Sequence, residues 1–592
     1  MKHSTNPSLL IIGLSLAVML GCQSPGKSSE DFDILLEAYY QDHLELYMLY
    51  ATYLGDYRYN DSLPNYLSKS FKDKERKFYR DYNKRLNRFS EENLSPEQIL
   101  SQQILQWEID IQTESFEFEK DLMPIDQMWS LNLDIGQLGS GGGAQPFNTL
   151  EDYRNWLSRL DDFKEWLLSA KAKMKEGIEK GIVLPKPLIQ KVLPQLESVA
   201  VNDLSKNIFW GPLNEQPETI EDRDWHDLGY EYAILIVDEL NPIIRDLHEF
   251  MSTEYLEAGR ETSGYGDLPG MEGYYDHAIK YYTTTTMSAD EIHELGIQEV
   301  SRIQNEMKKV MEEVGFEGTL HEFFEHVKTN PDLMPFDDPQ QVIDHFNDIH
   351  QKVMPHVENL FDNKPISPFE VRRVEAFREK SASAHYIIGT PDGSRPGVFY
   401  VPIPDVTSYH VFSDESLFLH EAIPGHHFQL SLQQENPELP SFRKNITWYS
   451  VYGEGWALYT ESLGKELGLY TDPYQYFGML SAEIHRAIRL VVDTGLHAKG
   501  WSREKAIQYS MQNQAESEDF ITSEIERYMA NPGQALSYKI GQLKIQELRD
   551  HAQEILGFHF DIREFHNKIL ESGNMPLALL EEKINAWIHQ VE

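Results

Sequence analysis

Ser416-Leu-Phe-Leu-His420-Glu421-Ala-Ile-Pro424-Gly425-His426-His427-Phe-Gln429 is the stretch on which the rest of the chain turns. It begins as an amphipathic helix, Leu417, Phe418 and Leu419 leading into three histidines and a glutamate within eight residues. His-Glu opens the H-E-x-x-H motif, in which histidines at i and i+4 share one helical face and bind one zinc. Here the i+4 position is Pro424. On a straight helix His427 would share a face with His420 but stand two turns away, roughly 10 Å along the axis. Zn–N bonds are only about 2 Å, so such a pair could not hold one ion. The helix must therefore deform. Pro424 removes a hydrogen bond to the His420 carbonyl and clashes with it, and Gly425 adds backbone freedom. A kink or bulge there would bring His426 back toward His420. His426 is the first choice of second ligand, with His427 supporting the site or facing substrate; the reverse assignment stays open.

A third ligand should come from another helix. Tyr452-Gly453-Glu454-Gly455-Trp456-Ala457-Leu458-Tyr459-Thr460-Glu461 offers Glu454, flanked by glycines that allow close approach. The interval from His420 leaves room for a loop and an antiparallel helical return. Glu461, two turns on, could orient a ligating histidine. Two neutral histidines, one carboxylate and one water make a catalytic zinc site, one Zn2+ per chain, with an open position. Glu421, next to the first ligand, is the natural general base and proton shuttle.

At this point the chain resembles the bacterial family catalogued as domain of unknown function 885. The hallmark is H-E-x-x-P-G-H followed by E-G-W-A, here His420–His426 and Glu454–Ala457. The resemblance continues through Arg489-Leu-Val-Val-Asp493-Thr-Gly495-Leu-His497, Gly500-Trp501-Ser502 and Pro532-Gly533-Gln534-Ala535-Leu536-Ser537-Tyr538-Lys539-Ile540-Gly541. Upstream it takes in Gly393-Ser394-Arg395-Pro396-Gly397-Val398-Phe399-Tyr400. It covers nearly all of the chain beyond its first residues and is most specific in the C-terminal third. It implies a zincin-like, mostly α-helical fold with a deep cleft and a glutamate third ligand, and leaves the substrate open.

A zinc hydrolase needs help with the tetrahedral oxyanion. Tyr538 is the first candidate donor, by analogy with related helical zinc peptidases; a packing role is the competing reading. His497 is the alternative donor, and Asp493 and His497 are i, i+4 neighbours able to form a carboxylate–histidine pair. Arg486 and Arg489 share a helix near His485. They could grip a substrate carboxylate bidentately, although such arginines more often satisfy neighbouring acids. His410 is a candidate cleft residue, and Asp414 a candidate helix cap.

Outward from this centre the pattern is helical. Apolar residues recur at helical spacing over Asp31–Gly55, Ser68–Phe89, Ser95–Phe118, Leu150–Lys180, Asp227–Tyr255, Ser288–Val314 and Asp338–Phe361. Short strands are expected at Phe369–Ala376, Ala384–Ile388 and Val398–Ile403, forming a small antiparallel element beside the active site. An edge strand there could hold an extended peptide, or the hairpin could merely cap the helices. The glycine cluster Gly139–Gly143 lacks the strand and Lys-Ser/Thr ending of a phosphate loop and reads as a connecting loop. A Gly- and Ser-rich stretch, Ala258–Tyr274, suggests a division into an N-terminal helical lobe (about 31–260) and a catalytic lobe (about 261–592).

The 592 residues are 41% hydrophobic, ample for a large core. Fifty-three basic against 96 acidic residues give a formal charge of -43, which disfavours nucleic acid as a partner. Lys2 and His3 precede an apolar run, Leu9–Leu20, then Gly21 and Cys22. The run is too short to span a bilayer and suits a signal-peptide core. With Gly21 before it, Cys22 resembles a bacterial lipobox, with Met19 where Leu is usual. Residues 1–21 then read as a lipoprotein signal peptide, Cys22 as the lipidated residue, and 22–30 as a tether. Gln23 after the cysteine favours the outer membrane, facing the periplasm. Cys22 is the single cysteine, so the chain has no intramolecular disulfide and no further thiol for catalysis or metal.

The expected function is a lipid-anchored zinc metallopeptidase acting on short peptides, by attack of zinc-bound water on an amide carbonyl. Membrane contact is expected through the lipid only. Two rivals are a zinc hydrolase of non-peptide amides or esters, and a tethered binding protein with a structural metal.

Overall fold

The computed structural model describes residues 28–592 apart from 267, 376–378, 380, 381 and 391. The expected signal peptide and Cys22 lie outside the described residues. Ser28, within the stretch expected as a tether, caps a helix that begins at Ser29. Its hydroxyl accepts from the Asp31 N–H, while the Asp31 carboxylate accepts from the Ser28 N–H.

That helix, α1 (Ser29–Leu46), is followed by α2 (Lys69–Leu86), α3 (Pro96–Ser115), α4 (Leu150–Lys180), α5 (Ala289–Glu313) and α6 (Pro339–Val357). Each forms where the apolar spacing predicts one. Ser68, Ser95, Thr149, Ser288 and Asp338 set their starts by accepting from N–H groups of the first turn. The helix expected over Asp227–Tyr255 starts earlier, at Asp222, and alternates α-helix with π-helix at Leu235–Leu240 and Met251–Tyr255. Pro242 has no N–H to offer the preceding turn, so the ladder shifts there.

Between α6 and the metal-motif region lie β1 (Phe369–Arg373), β2 (His385–Ile387) and β3 (Gly397–Val401), in sheet order β1-β3-β2. β2 pairs antiparallel with β3, Tyr386 opposite Phe399, whereas β1 runs parallel to β3 with Val371 beside Phe399. The sheet is therefore mixed, not antiparallel as expected. A tight turn joins only neighbouring antiparallel strands; the connection from β1 to β2 is long enough to leave β3's place between them. β2 remains an edge strand.

The C-terminal part adds α7 (Asp414–Glu421), α8 (His426–Glu435), α9 (Ser450–Glu461), α10 (Pro473–Ala498), α11 (Glu518–Ala530) and α12 (Ser537–Leu556). α9 and α12 meet backbone to backbone. A Cβ on Gly455 would stand 2.5 Å from the Gly541 Cα, and one on Gly541 would stand 1.9 Å from the Val451 carbonyl oxygen. Only glycine permits that contact, which puts Glu454 of α9 close to Tyr538 of α12.

The apolar core forms two clusters. The larger joins α1, α2 and α3 to α5, α6 and the chain that follows; the smaller is built on α4 and runs to Tyr274. The core thus does not divide at one point along the chain. Among the described residues no helix is long and apolar enough to cross a membrane.

Candidate metal centre

α7 ends at Glu421 with a complete break instead of a kink. Ala422 (φ -107°, ψ -106°) and Gly425 (φ -74°, ψ -124°) leave helical space, the Ile423–Pro424 bond between them is cis, and α8 restarts at His426. A Cβ on Gly425 would stand 1.9 Å from the His420 carbonyl oxygen, so the return is too tight for any side chain. α9 holds the break from behind. Trp456 Nε1–H donates to the Pro424 carbonyl and the Thr460 hydroxyl donates to the Leu419 carbonyl, each at 3.0 Å.

The break turns His426 toward His420, with ring centroids 5.0 Å apart and planes at 87°. His420 Nε2 lies 3.6 Å, and His426 Nε2 3.4 Å, from Glu454 Oε2. The three ligand atoms lie within 4.8 Å of one another. Two ligands of one tetrahedral ion, each about 2 Å from it, stand about 3.3 Å apart, so this set could hold a metal. His420 Nδ1 is hydrogen-bonded to Glu461 Oε1 at 2.8 Å, and Ser416 donates to Glu461 Oε2 at 2.7 Å. That partner fixes the imidazole and aims Nε2 at Glu454.

The charges of the cluster act strongly on one another. Burial alone would lower His420, but Glu454 and Glu461 outweigh it and lift the imidazole to about 9. Burial would raise Glu454, yet the two imidazoles hold its carboxyl well below the usual range. Burial pushes the Glu421 carboxyl up, against the pull of His420 and His426. A carboxyl raised in this way suits a group that must both take and give a proton.

His427 points elsewhere. Its Nδ1 meets the Tyr386 hydroxyl at 2.8 Å and its ring packs on Phe369, and burial pushes it down to about 4. Of the two histidines left open, His426 joins the cluster, while His427 props β2 through Tyr386.

His420, Glu421, His426 and Glu454 line a cavity of about 1630 Å³. The N-terminal region supplies part of its wall through Tyr47, Phe71, Lys72 and Trp129, and Ser383–Tyr386 at β2 supply another. Tyr538, Arg486 and Arg489 complete the wall near the cluster. The Arg489 guanidinium lies 4.4 Å over the Tyr538 ring. Burial, then the nearby Glu454, raise the Tyr538 phenol, keeping it a hydrogen-bond donor.

His497 does not reach the cavity. Its Nδ1 accepts from the Tyr265 N–H at 3.2 Å and its Nε2 faces the Tyr528 carbonyl at 3.0 Å, so both ring nitrogens are spent on backbone. The expected Asp493–His497 pair does not form either. Asp493 instead accepts from the Tyr275 hydroxyl at 2.6 Å and the Gly533 N–H at 3.1 Å, pinning the turn before Tyr538. Helical spacing put the two side chains within reach of each other, and nearer partners from other elements captured both. His410 bonds to the Lys328 carbonyl at 2.8 Å and stays outside the cavity wall. Asp414 opens α7 inside its first turn, accepting from the Tyr409 hydroxyl at 2.9 Å, while Ser413 holds the cap position.

Sequence reasoning missed Glu524 and Arg527 of α11, which line the same cavity. Glu524 takes Arg489 Nη2 at 2.9 Å and Arg527 Nε at 2.8 Å. The i, i+3, i+4 spacing of Glu524, Arg527 and Tyr528, just before Pro532-Gly533, was the available signal.

Fold and centre together define a class: a mainly α-helical protein with a His-His-Glu candidate metal centre opening on a large cavity. The chain belongs to the family of bacterial proteins of unknown function DUF885, whose sequence profile matches residues 49–584. A candidate lipoprotein from Colwellia psychrerythraea has a similar solved structure, at TM-score 0.87 and 27% identity, covering 95% of this chain and 100% of that one. A candidate lipoprotein of unknown function from Shewanella oneidensis shares the fold at TM-score 0.74 and 18% identity, covering 93% of this chain and 99% of that one. No curated protein matches the chain.

Proposed function

We propose that this protein is a zinc-dependent hydrolase of short peptides, anchored by a lipid on Cys22 in the bacterial envelope, at the outer membrane. The observation that carries the reading is Glu421. It is buried beside a candidate ligand, raised in pKa, and lines the same cavity as His420, His426 and Glu454. A purely structural metal site has no use for a free carboxyl there.

Two imidazoles and one carboxylate suit zinc. When bound, zinc would polarise the scissile carbonyl and make a water acidic near neutral pH. The protein's own groups do the rest. Glu421 accepts the proton of the attacking water and hands it to the leaving amine. The Tyr538 hydroxyl donates to the developing oxyanion. Glu461 keeps His420 in the tautomer that presents Nε2. β2, an edge strand among the described residues, is the element an extended peptide would pair with. The anchor rests on the lipobox-like Gly21-Cys22 and on two structural neighbours described as candidate lipoproteins.

The test pairs metal analysis with a peptide panel, on the wild type and on Glu421→Gln. The expected result is about one zinc per chain in both proteins and peptide turnover only in the wild type. Absence of metal from both would end the zinc reading. Zinc without peptide turnover, but with hydrolysis of acyl-amides or esters, would move the substrate class.

A further inference from the structure

The cavity wall formed by α10 and α11 has more cationic donors than acceptors. Arg489 and Arg527 meet there around Glu524, and Arg486 lines the same wall. Arg527 is fully engaged, with Nε and Nη2 on Glu524 and Nη1 on Gln534. Arg489 is not. Its Nε donates to the Tyr528 hydroxyl at 3.0 Å and its Nη2 to Glu524 at 2.9 Å, yet the buried Nη1 has no partner. Arg486 donates Nη1 to the Ala482 carbonyl at 3.1 Å, and its buried Nε likewise has no partner. Arg489 is only 8% exposed, so its guanidinium is held at a fixed position in the wall and not on a mobile surface chain. In a chain of formal charge -43, such a wall is a local reversal of sign.

The wall also adjoins the metal cluster. Arg486 Nη2 lies 3.9 Å from Glu461 Oε1, the atom that holds His420 Nδ1 at 2.8 Å. Arg489 covers Tyr538, which faces Glu454.

Resting on the hydrolase reading, we propose that Arg489 and Arg486 receive a carboxylate of the substrate, with Glu524 and Arg527 holding Arg489 in place. An extended residue spans about 3.3 Å, so the bound carboxylate lies a short way along the peptide from the scissile bond. Either the C-terminal carboxylate or an acidic side chain near that bond can supply it.

Binding is measured by calorimetry to the whole chain carrying Glu421→Gln, so that turnover plays no part. The probes are a tripeptide with a free C-terminus, its C-terminal amide, and the amide carrying a Glu side chain. At least one carboxylate probe should bind roughly tenfold more tightly than the plain amide, the scale of one charge-assisted hydrogen bond. Preference for the free acid assigns the C-terminus, and preference for the Glu-bearing amide assigns a side chain. Adding Arg489→Gln should erase the preference for the carboxylate probes over the plain amide. Arg486→Gln, whose host has fewer native partners, should weaken it in the same direction and guards against misfolding of the first variant. Equal binding of all three probes, or binding of none, overturns the proposal. A carboxylate preference in a protein whose wild type cleaves no peptide would sink the peptidase reading and leave the carboxylate site standing.

Discussion

Two buried charge clusters flank α10, and they are built on opposite principles. On one side Lys539, wholly buried, donates to Glu483 at 2.7 Å, Glu299 at 2.9 Å and Gln542 at 2.7 Å. Arg302 closes the ring by pairing with Glu483 and Glu299. Every ammonium proton there has an acceptor. On the other side Arg489 Nη1 and Arg486 Nε have no acceptor, and both arginines line the same cavity as the His420–His426–Glu454 group. Burying a charge is tolerable when it is paired. The saturated cluster ties α5, α10 and α12 together, and the other groups its charged residues along a cavity wall.

The sharpest way to break the contrast is at Glu454. Glu454→Ala should abolish metal retention and turnover while the fold survives, read by metal content and circular dichroism. Lys539→Met should do the reverse. Removing one partner of a buried ion network costs about 3–5 kcal/mol, so urea unfolding should shift strongly while metal content stays unchanged. If Lys539→Met proves neutral, the network is not the brace described here.

A finer test acts on Glu461, which touches the centre only through His420. Glu461→Gln should weaken metal affinity about 10- to 100-fold, the usual effect of losing a histidine's outer partner, as measured by competition with a chelator. An unchanged affinity would leave Glu461 a packing residue.

A further test, away from the centre, concerns pH. Burial pushes His497 down to about 3, against an unfolded value near 6.5. The unfolded chain therefore binds the extra proton between those values. Stability is retained above pH 6.5 and is lost as pH falls toward 3, by about 1.4 kcal/mol per pH unit for one such group. His497→Gln should flatten that part of the stability profile in thermal melts from pH 7 to 4. A profile unchanged in slope would show that His497 is not held neutral.

The long helices were legible in place and type, because caps such as Thr149 and Ser288 and the apolar spacing behind them act within one or two turns. The grouping of His420, His426 and Glu454 was legible for a related reason. Pro424 and Gly425 force a break wherever they stand, and a break is what a His420–His426 pair requires. The roles of His497 and Asp493 were not legible. Helical spacing makes them neighbours, but Tyr265, Tyr528, Tyr275 and Gly533 compete for their atoms from distant positions. The mixed sheet was hidden likewise, since β1 takes its place beside β3 by tertiary packing and not by a turn.

Local chemistry, read along the chain, was thus enough to establish a mainly helical body and the residues able to hold a metal, because each signal lies within a few consecutive positions. The approach of Glu454 and Tyr538 through Gly455 and Gly541, and the unsatisfied arginines of α10, were decided only by tertiary structure. A side chain's partners depend on which other elements reach it, and those elements come from hundreds of residues away.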